Sequence, residues 1–215
     1  MLGRRRRGVG VCPAGELPAL LEDADALVDF TVPEASREHA ARAADAVVPY
    51  VVGTTRFDDE GLTELREASG STPVLKAANF ARGVRALLEV VEAGVAALPE
   101  YDVELTETHH GGKRDAPSGT ATAVLDAVDD AHEAALDRIH GREGEHHREE
   151  SEVGVHVRRA GNARGEHKVL LAGNDEVLSL SHRAESRRVF AAGAVDAVEW
   201  PAARKPGWYG FGDVL

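Results

Sequence analysis

Between residues 26 and 80, three short apolar runs alternate with two helical patterns, joined by connections of only a few residues. The runs are ALVDFT (26–31), VVPYVV (47–52) and PVLKAANF (73–80), the last running out into a loop. Pro33 opens the first helical pattern, EASREHAARAADA (34–46), and a polar helix is expected at 58–69. Short strands separated by helices pair in parallel, because the crossover returns the chain to the same end of the sheet. Ligands of such sheets bind beyond the carboxyl ends of the strands. Asp29–Thr31, Gly53–Thr55 and Ala78–Phe80 all fall there.

After residue 80 the pattern changes. Residues 81–98 predict an amphipathic helix with Val84, Leu87, Leu88 and Val91 on one face. YDVELTETHH (101–110) alternates as a strand, 117–137 reads as a second long helix, and 140–152 is a polar loop rich in His and Glu. Strands are expected near 153–159, 167–172 and 176–182, separated by Gly-Asn turns at 161–162 and 173–174. Strands clustered in this way predict an antiparallel or mixed sheet in a second domain. A helix at 187–199 and an aromatic tail, GWYGFGDVL, follow, and the tail is expected to dock.

Charge limits the partners. The 215 residues carry a formal charge of −12, which argues against nucleic acid or an anionic membrane surface. No apolar run approaches the roughly 18 residues that a membrane span requires. MLGRRRRGVG has no apolar core of a secretory signal, and the basic run at 3–7 reads as a disordered start. Cys12 stands alone, so no internal disulfide or cysteine metal cluster forms, and a reducing cytoplasm fits. Of the 25 bases 21 are arginine, Ile139 is the only isoleucine, and acids are in excess. Such a surface suits molar salt, where the Debye length falls to about 3 Å. A GC-rich genome accounts for the arginine and isoleucine skew but not for the acid excess.

The densest chemistry lies at 107–121, ETHHGGKRDAPSGTA. His109, His110, Lys113, Arg114 and Asp115 share a glycine-containing loop, after which Pro117 opens a helix with Ser118, Gly119 and Thr120 in its first turn. Free N–H groups of Gly119 and Thr120, with the Ser118 and Thr120 hydroxyls, form an anion cradle at the positive end of the helix dipole. A lysine and two imidazoles beside it can move protons near neutral pH. A small acidic molecule on which a proton is transferred is the expected occupant.

That segment resembles the E-(A/T)-H-H-x-x-K-x-D-A-P-S-G-T-A signature of the dihydrodipicolinate reductase family of the diaminopimelate–lysine pathway. The likeness continues in DFTVPEAS (29–36), VVGTT (51–55), AANFARGV (77–84), GREG (141–144), VRRAGNARGEH (157–167) and HRAESRRVFAAGAVDAVEW (182–200), so it covers about residues 20–215. It implies reduction of 4-hydroxy-tetrahydrodipicolinate (or dihydrodipicolinate) by NADPH or NADH, in a cytoplasmic homotetramer. It further implies His109 as the acid/base, Lys113 as proton donor, and His110, Gly119 and Thr120 as holders of the substrate carboxylates. Gly53, Thr54, Thr55, Ala77, Ala78, Asn79 and Phe80 would contact the dinucleotide. The fold expected is a truncated Rossmann-like parallel sheet plus an α+β substrate and oligomerisation domain with a mixed sheet. Residues 1–80 would be a partial dinucleotide-binding domain completed by 187–215, and 81–186 the substrate domain.

The chain also departs from the family pattern. No strand and glycine-rich phosphate turn precede GVGVCPAGELPALL (8–21), and the Gly8–Gly10 pair follows no apolar strand. Weak NAD(P)H binding beside retained dicarboxylate binding is therefore expected of the chain as written. A cofactor-deficient homologue that only binds dicarboxylate or assembles is the alternative. Arg56 replaces the usual glycine after Gly-Thr-Thr and reads as a tolerated loop change. His140, His146 and His147 lack metal-ligand spacing, so no metal is expected, and His39 and His132 read as structural or solvated.

Overall fold

The computed structural model describes residues 16–132, 135–186, 188–201 and 204–214. The basic run at 3–7, the Gly8–Gly10 pair and Cys12 lie outside the described residues. The chain forms two compact units, Met1–Ala77 with Val195–Val214, and Ala78–Ala194.

The first unit holds α1 (Leu17–Leu21), β1 (Leu27–Asp29), α2 (Pro33–Ala46), β2 (Tyr50–Val52), α3 (Asp59–Ala68), β3 (Pro73–Lys76) and β9 (Gly207–Gly210). Its four strands are all parallel, in the order β1-β2-β3-β9. Pro33 sits in the first turn of α2, where a missing N–H costs nothing. Asp58 caps α3 by accepting from Gly61 N at 2.8 Å, and Asp59 and Glu60 complement the positive helix end. Ala40, Ala43, Tyr50, Val52, Leu65, Ala68 and Val74 close the core, with Trp208 of β9 packed against it. The aromatic tail thus docks as a strand beside β3.

Two expected strands are shorter than their apolar runs. The first ends at Asp29, whose carboxylate draws in the Thr31 N–H at 2.7 Å and turns the chain. The second begins only at Tyr50, because Val47 is the left-handed C-cap of α2 at φ 53° and Pro49 follows it.

The second unit contains α4 (Arg82–Ala97), β4 (Asp102–His109), α5 (Gly119–Ala131), β5 (Asp137–His140), β6 (Glu152–Arg159), β7 (Glu166–Gly173) and β8 (Glu176–Arg183), and α6 (Arg188–Glu199) leads back to the first. The sheet is mixed, ordered β5-β6-β4-β7-β8, with β4 parallel to β6 and antiparallel to β7. Val103 and Leu105 of β4 share a core with Val153, Val155, Val169 and Leu171 and with Leu87, Val91, Val95, Val124 and Leu125 of the two helices. Each fully buried aliphatic side chain there contributes roughly 1.5–3 kcal/mol.

The helix expected over 117–137 stops at Ala131, and Asp137–His140 is a strand instead, parallel to β6 from the pair Asp137↔Glu152 onward. Its residues DRIH carry one large apolar side chain, so the pairing comes from the neighbouring strand rather than from local pattern. The polar loop that follows is held by ion pairs: Arg142 reaches Glu152 at 2.8 Å, and Arg148 reaches Asp102 at 2.9 Å.

Candidate active site

The alternation of β4 sends Val103, Leu105 and Glu107 into the core. Glu107 is 0% exposed, an expensive place for a carboxylate unless every lone pair is satisfied. Arg159 of β6 donates to Oε1 at 2.8 Å, and the Ser118 N–H lies 3.2 Å from both oxygens. Oε2 lies 3.4 Å from His109 Nδ1 and 3.6 Å from His167 Nε2. Burial works against the charge, but the contacts from His167, Ser118 and Arg159 outweigh it and hold the carboxyl near pKa 2. It is an anion at neutral pH.

Glu107 joins two segments that the sequence shows only as neighbours along the chain. One is His109, where β4 ends. The other is the N-terminus of α5, whose cap is Ser118. The Ser118 hydroxyl accepts from Ala121 N at 3.2 Å and lies 3.1 Å from His167 Nε2. Ser118 is 2% exposed, so its polar groups serve the cap and Glu107 from beneath. As first-turn residues of α5, Gly119 and Thr120 carry N–H groups without an intrahelical acceptor. Thr120 Oγ1 accepts from Asn79 Nδ2 at 2.8 Å, and Asn79 Oδ1 accepts from Ala81 N at 2.8 Å. Asn79 therefore ties the start of α4 to the first turn of α5.

The loop from His109 to Asp115 is pinned from both sides. Ala160 N donates to His109 O at 2.9 Å, Gly111 N donates to Gly161 O at 3.2 Å, and Arg159 donates to Asp115 O at 2.6 Å. Lys113 Nζ pairs with the Asp115 carboxylate at 2.9 Å. A cavity of about 430 Å³ opens between this loop and the turn after β6, lined by His110, Gly111, Gly112, Gly161, Asn162, Ala163 and Arg164. Burial is the largest influence on His109 and pushes its pKa down to about 4, opposed by Glu107 and assisted by His167, Lys113 and Arg159. The His109 and His167 rings meet edge to face with centroids 5.2 Å apart. Gly165, at φ +128°, lies close against the Nε2 edge of His109, where a Cβ would stand 3.3 Å from that nitrogen.

Glu107, His109 and His167 also bring donor atoms within 4.8 Å of one another, a spacing compatible with a metal ion. The Arg159 guanidinium on Oε1 opposes a cation in the same place.

The other predicted residues belong to strand ends. Gly53, Thr54 and Thr55 follow β2, and Ala77, Ala78, Asn79 and Phe80 follow β3. Gly53 N donates to Asp29 O at 2.7 Å, and a Cβ at Gly53 would collide with the Phe30 ring. Thr54 is turned inward: its hydroxyl accepts from Ser36 at 2.8 Å and faces Asp29. Asp29 also takes Tyr50 OH at 2.6 Å and His39 Nδ1 at 2.8 Å, so His39, expected to be structural or solvated, is tied into this buried network. These bonds prevail over burial and hold Asp29 near pKa 2. Thr55 and Ala78 remain exposed.

Sequence reasoning missed Glu107, Arg159 and His167 as site residues. The signal for Glu107 was its place in the β4 alternation, a charged residue where an apolar one is expected.

Comparisons with known proteins agree over the whole chain. A family model described as dihydrodipicolinate reductase, N-terminus, matches residues 1–80, and one described as dihydrodipicolinate reductase, C-terminus, matches residues 83–215. A 4-hydroxy-tetrahydrodipicolinate reductase from Natronomonas pharaonis is 72% identical over 207 residues, covering 96% of this chain and 84% of that protein. One from Haloarcula marismortui is 52% identical over 206 residues, covering 95% and 82%. Among solved structures, dipicolinate-bound dihydrodipicolinate reductase from Paenisporosarcina sp. superimposes with a TM-score of 0.76 at 25% identity, over 93% of this chain and 77% of that one.

Proposed function

The chain belongs to the dihydrodipicolinate reductase family, and from that premise we propose how its residues divide the work. The reaction is the NAD(P)H-dependent reduction of 4-hydroxy-tetrahydrodipicolinate to tetrahydrodipicolinate in diaminopimelate and lysine biosynthesis. The observation that carries the assignment is the reach of one buried carboxylate, Glu107, to both His109 and the α5 N-terminus, at 3.4 and 3.2 Å. Proton carrier and anion cradle are thereby held side by side.

The substrate is a small dicarboxylate. One carboxylate is received by the N–H groups of Gly119 and Thr120, where the helix dipole and two backbone donors favour an anion. His110 and Lys113 add a donor and a positive charge, and Ser118 keeps the first turn of α5 in register. When bound, the nicotinamide dinucleotide supplies a hydride, and Gly53–Thr55 and Ala77–Phe80 are the residues that would hold it. Hydride addition leaves negative charge on a neighbouring substrate atom. Lys113 and His109 stabilise that charge and quench it with a proton. Burial and its cationic neighbours disfavour the His109 imidazolium and hold its pKa at about 4, so the ring is neutral at pH 7. A bound dianion counters those cations and moves its pKa back toward neutrality.

His109→Ala and Lys113→Ala are each expected to lower kcat by about 10²–10⁴-fold. His110→Ala and Thr120→Val are expected to raise KM more than they lower kcat. Loss of reduced-nicotinamide absorbance follows both. Wild-type kcat in both His109→Ala and Lys113→Ala would remove the assignment.

Assembly as a homotetramer in the cytoplasm is part of the same proposal. Strand β8 presents Val177 at 61% exposure on an edge that a lone chain would leave prone to aggregation. Sedimentation showing a well-behaved monomer in high salt would count against it. No helix among the described residues is long and apolar enough to cross a membrane.

A further inference from the structure

We propose that Glu107 is a positioning residue that decides which nitrogen of His109 carries the resident proton, holding Nδ1–H and leaving Nε2 to exchange with the substrate. The inference rests on His109 acting as the acid/base.

His109 Nδ1 is buried without a hydrogen-bond partner, and a carboxylate oxygen, Glu107 Oε2, lies 3.4 Å from it. A neutral imidazole protonated at Nε2 would bring a bare Nδ1 lone pair against a carboxylate in a site without water-like screening. Protonated at Nδ1, the same ring places a donor on that anion, and the gap can close to a charge-assisted bond. The opposite edge of the ring, Nε2, lies against Gly165, which places no side chain on it, beside the turn whose residues 161–164 line the cavity.

Glu107 is suited to this task because its other contacts prevent it from taking the proton. Arg159 and the Ser118 N–H hold it as an anion, and Arg159 also grips Asp115 O at 2.6 Å, so the orienting carboxylate and the loop are braced by one guanidinium. The charged and titratable groups influencing His109 come from every surrounding element. They are Glu107 from β4, Lys113 from the loop, Arg159 from β6 and His167 from β7, and Glu107 is the one anion among them. In the proton-transfer step the Nε2–H bond of the imidazolium breaks, a bond from that proton to the substrate forms, and Nδ1–H stays on Glu107. Solvent then returns a proton to Nε2.

The test begins with the unaltered chain. Nitrogen-15 NMR of histidine-labelled protein near neutral pH is expected to show His109 as the Nδ1–H tautomer. In Glu107→Gln the amide keeps the size of the side chain and removes the charge. The Nε2–H form should then gain population, kcat should fall roughly 10²-fold or more with KM changing less than about threefold, and the alkaline limb of the kcat profile, where the His109 imidazolium is lost, should shift to lower pH. A wild-type His109 protonated at Nε2 overturns the proposal without reference to any variant. So does a Glu107→Gln enzyme with wild-type kcat and pH profile when His109→Ala is inactive. A His109→Ala enzyme of wild-type kcat would instead overturn the acid/base reading, and the catalytic half of this proposal with it.

Discussion

Glu107, His109 and Asp29 are all held away from their ordinary titration ranges, and all three shifts act in the same direction on stability. His109 falls from 6.5 to about 4, so the unfolded chain takes up that proton first and stability is lost as pH drops through that window. Glu107 falls from 4.5 to about 2 and Asp29 from 3.8 to about 2, so their contributions are complete above the unfolded values and disappear toward pH 2. At about 1.4 kcal/mol per pK unit, each carboxylate accounts for a few kcal/mol. Urea midpoints are therefore expected to decline gently from pH 6.5 to 4.5 and steeply below, and a midpoint unchanged down to pH 4 would contradict the His109 shift. Val47 carries a different cost, since a β-branched residue at φ 53° in a C-cap is sterically strained. Val47→Gly should raise stability by about 1 kcal/mol in denaturant titration, because the left-handed conformation is free to glycine. Arg56, at φ 66°, stands in the same region, which gives a physical reason for glycine at that point of the family pattern. His109 and Lys113 were legible in the sequence because they crowd one loop with a helix start. Arg159 and His167 were not, since they reach the site from strands about 50 residues further along.

At the scale of elements, α5 depends on its cap. Ser118→Ala removes the bond to Ala121 N and the contact with His167, and leaves Glu107 with its backbone donor alone on that side. A loss of about 1–2 kcal/mol is expected, together with a higher KM as the cradle N–H groups loosen. Thermal unfolding and initial-rate kinetics measure the two effects. Helices α2–α6 and the long strands were readable because each carries its own period, as in the buried stripe Val84, Leu87, Val91 and Val95 of α4. β5 was unreadable because DRIH has no pattern of its own and becomes a strand only beside β6. The same holds at Val47, where an apolar residue that looks like the start of a strand is the end of a helix.

At the scale of the molecule, the charge of −12 destabilises the compact state through self-repulsion that salt relieves. The melting temperature is expected to rise as KCl increases from about 0.1 M to molar concentrations, where the Debye length is about 3 Å, and a flat response would count against an adaptation to salt. The two sheets differ in how far apart along the chain their strands originate. The second sheet is built from one continuous stretch, residues 102–183, whereas the first brings Pro73 beside Gly207. That pairing sets an order of events during synthesis. The second unit can complete its core while the chain is still being extended, but β3 waits as an open edge until residues 207–210 have left the ribosome. Over that interval the nascent first unit exposes the ladder of β3 and the apolar surface that Trp208 later covers, which makes it the part of the chain most in need of a chaperone.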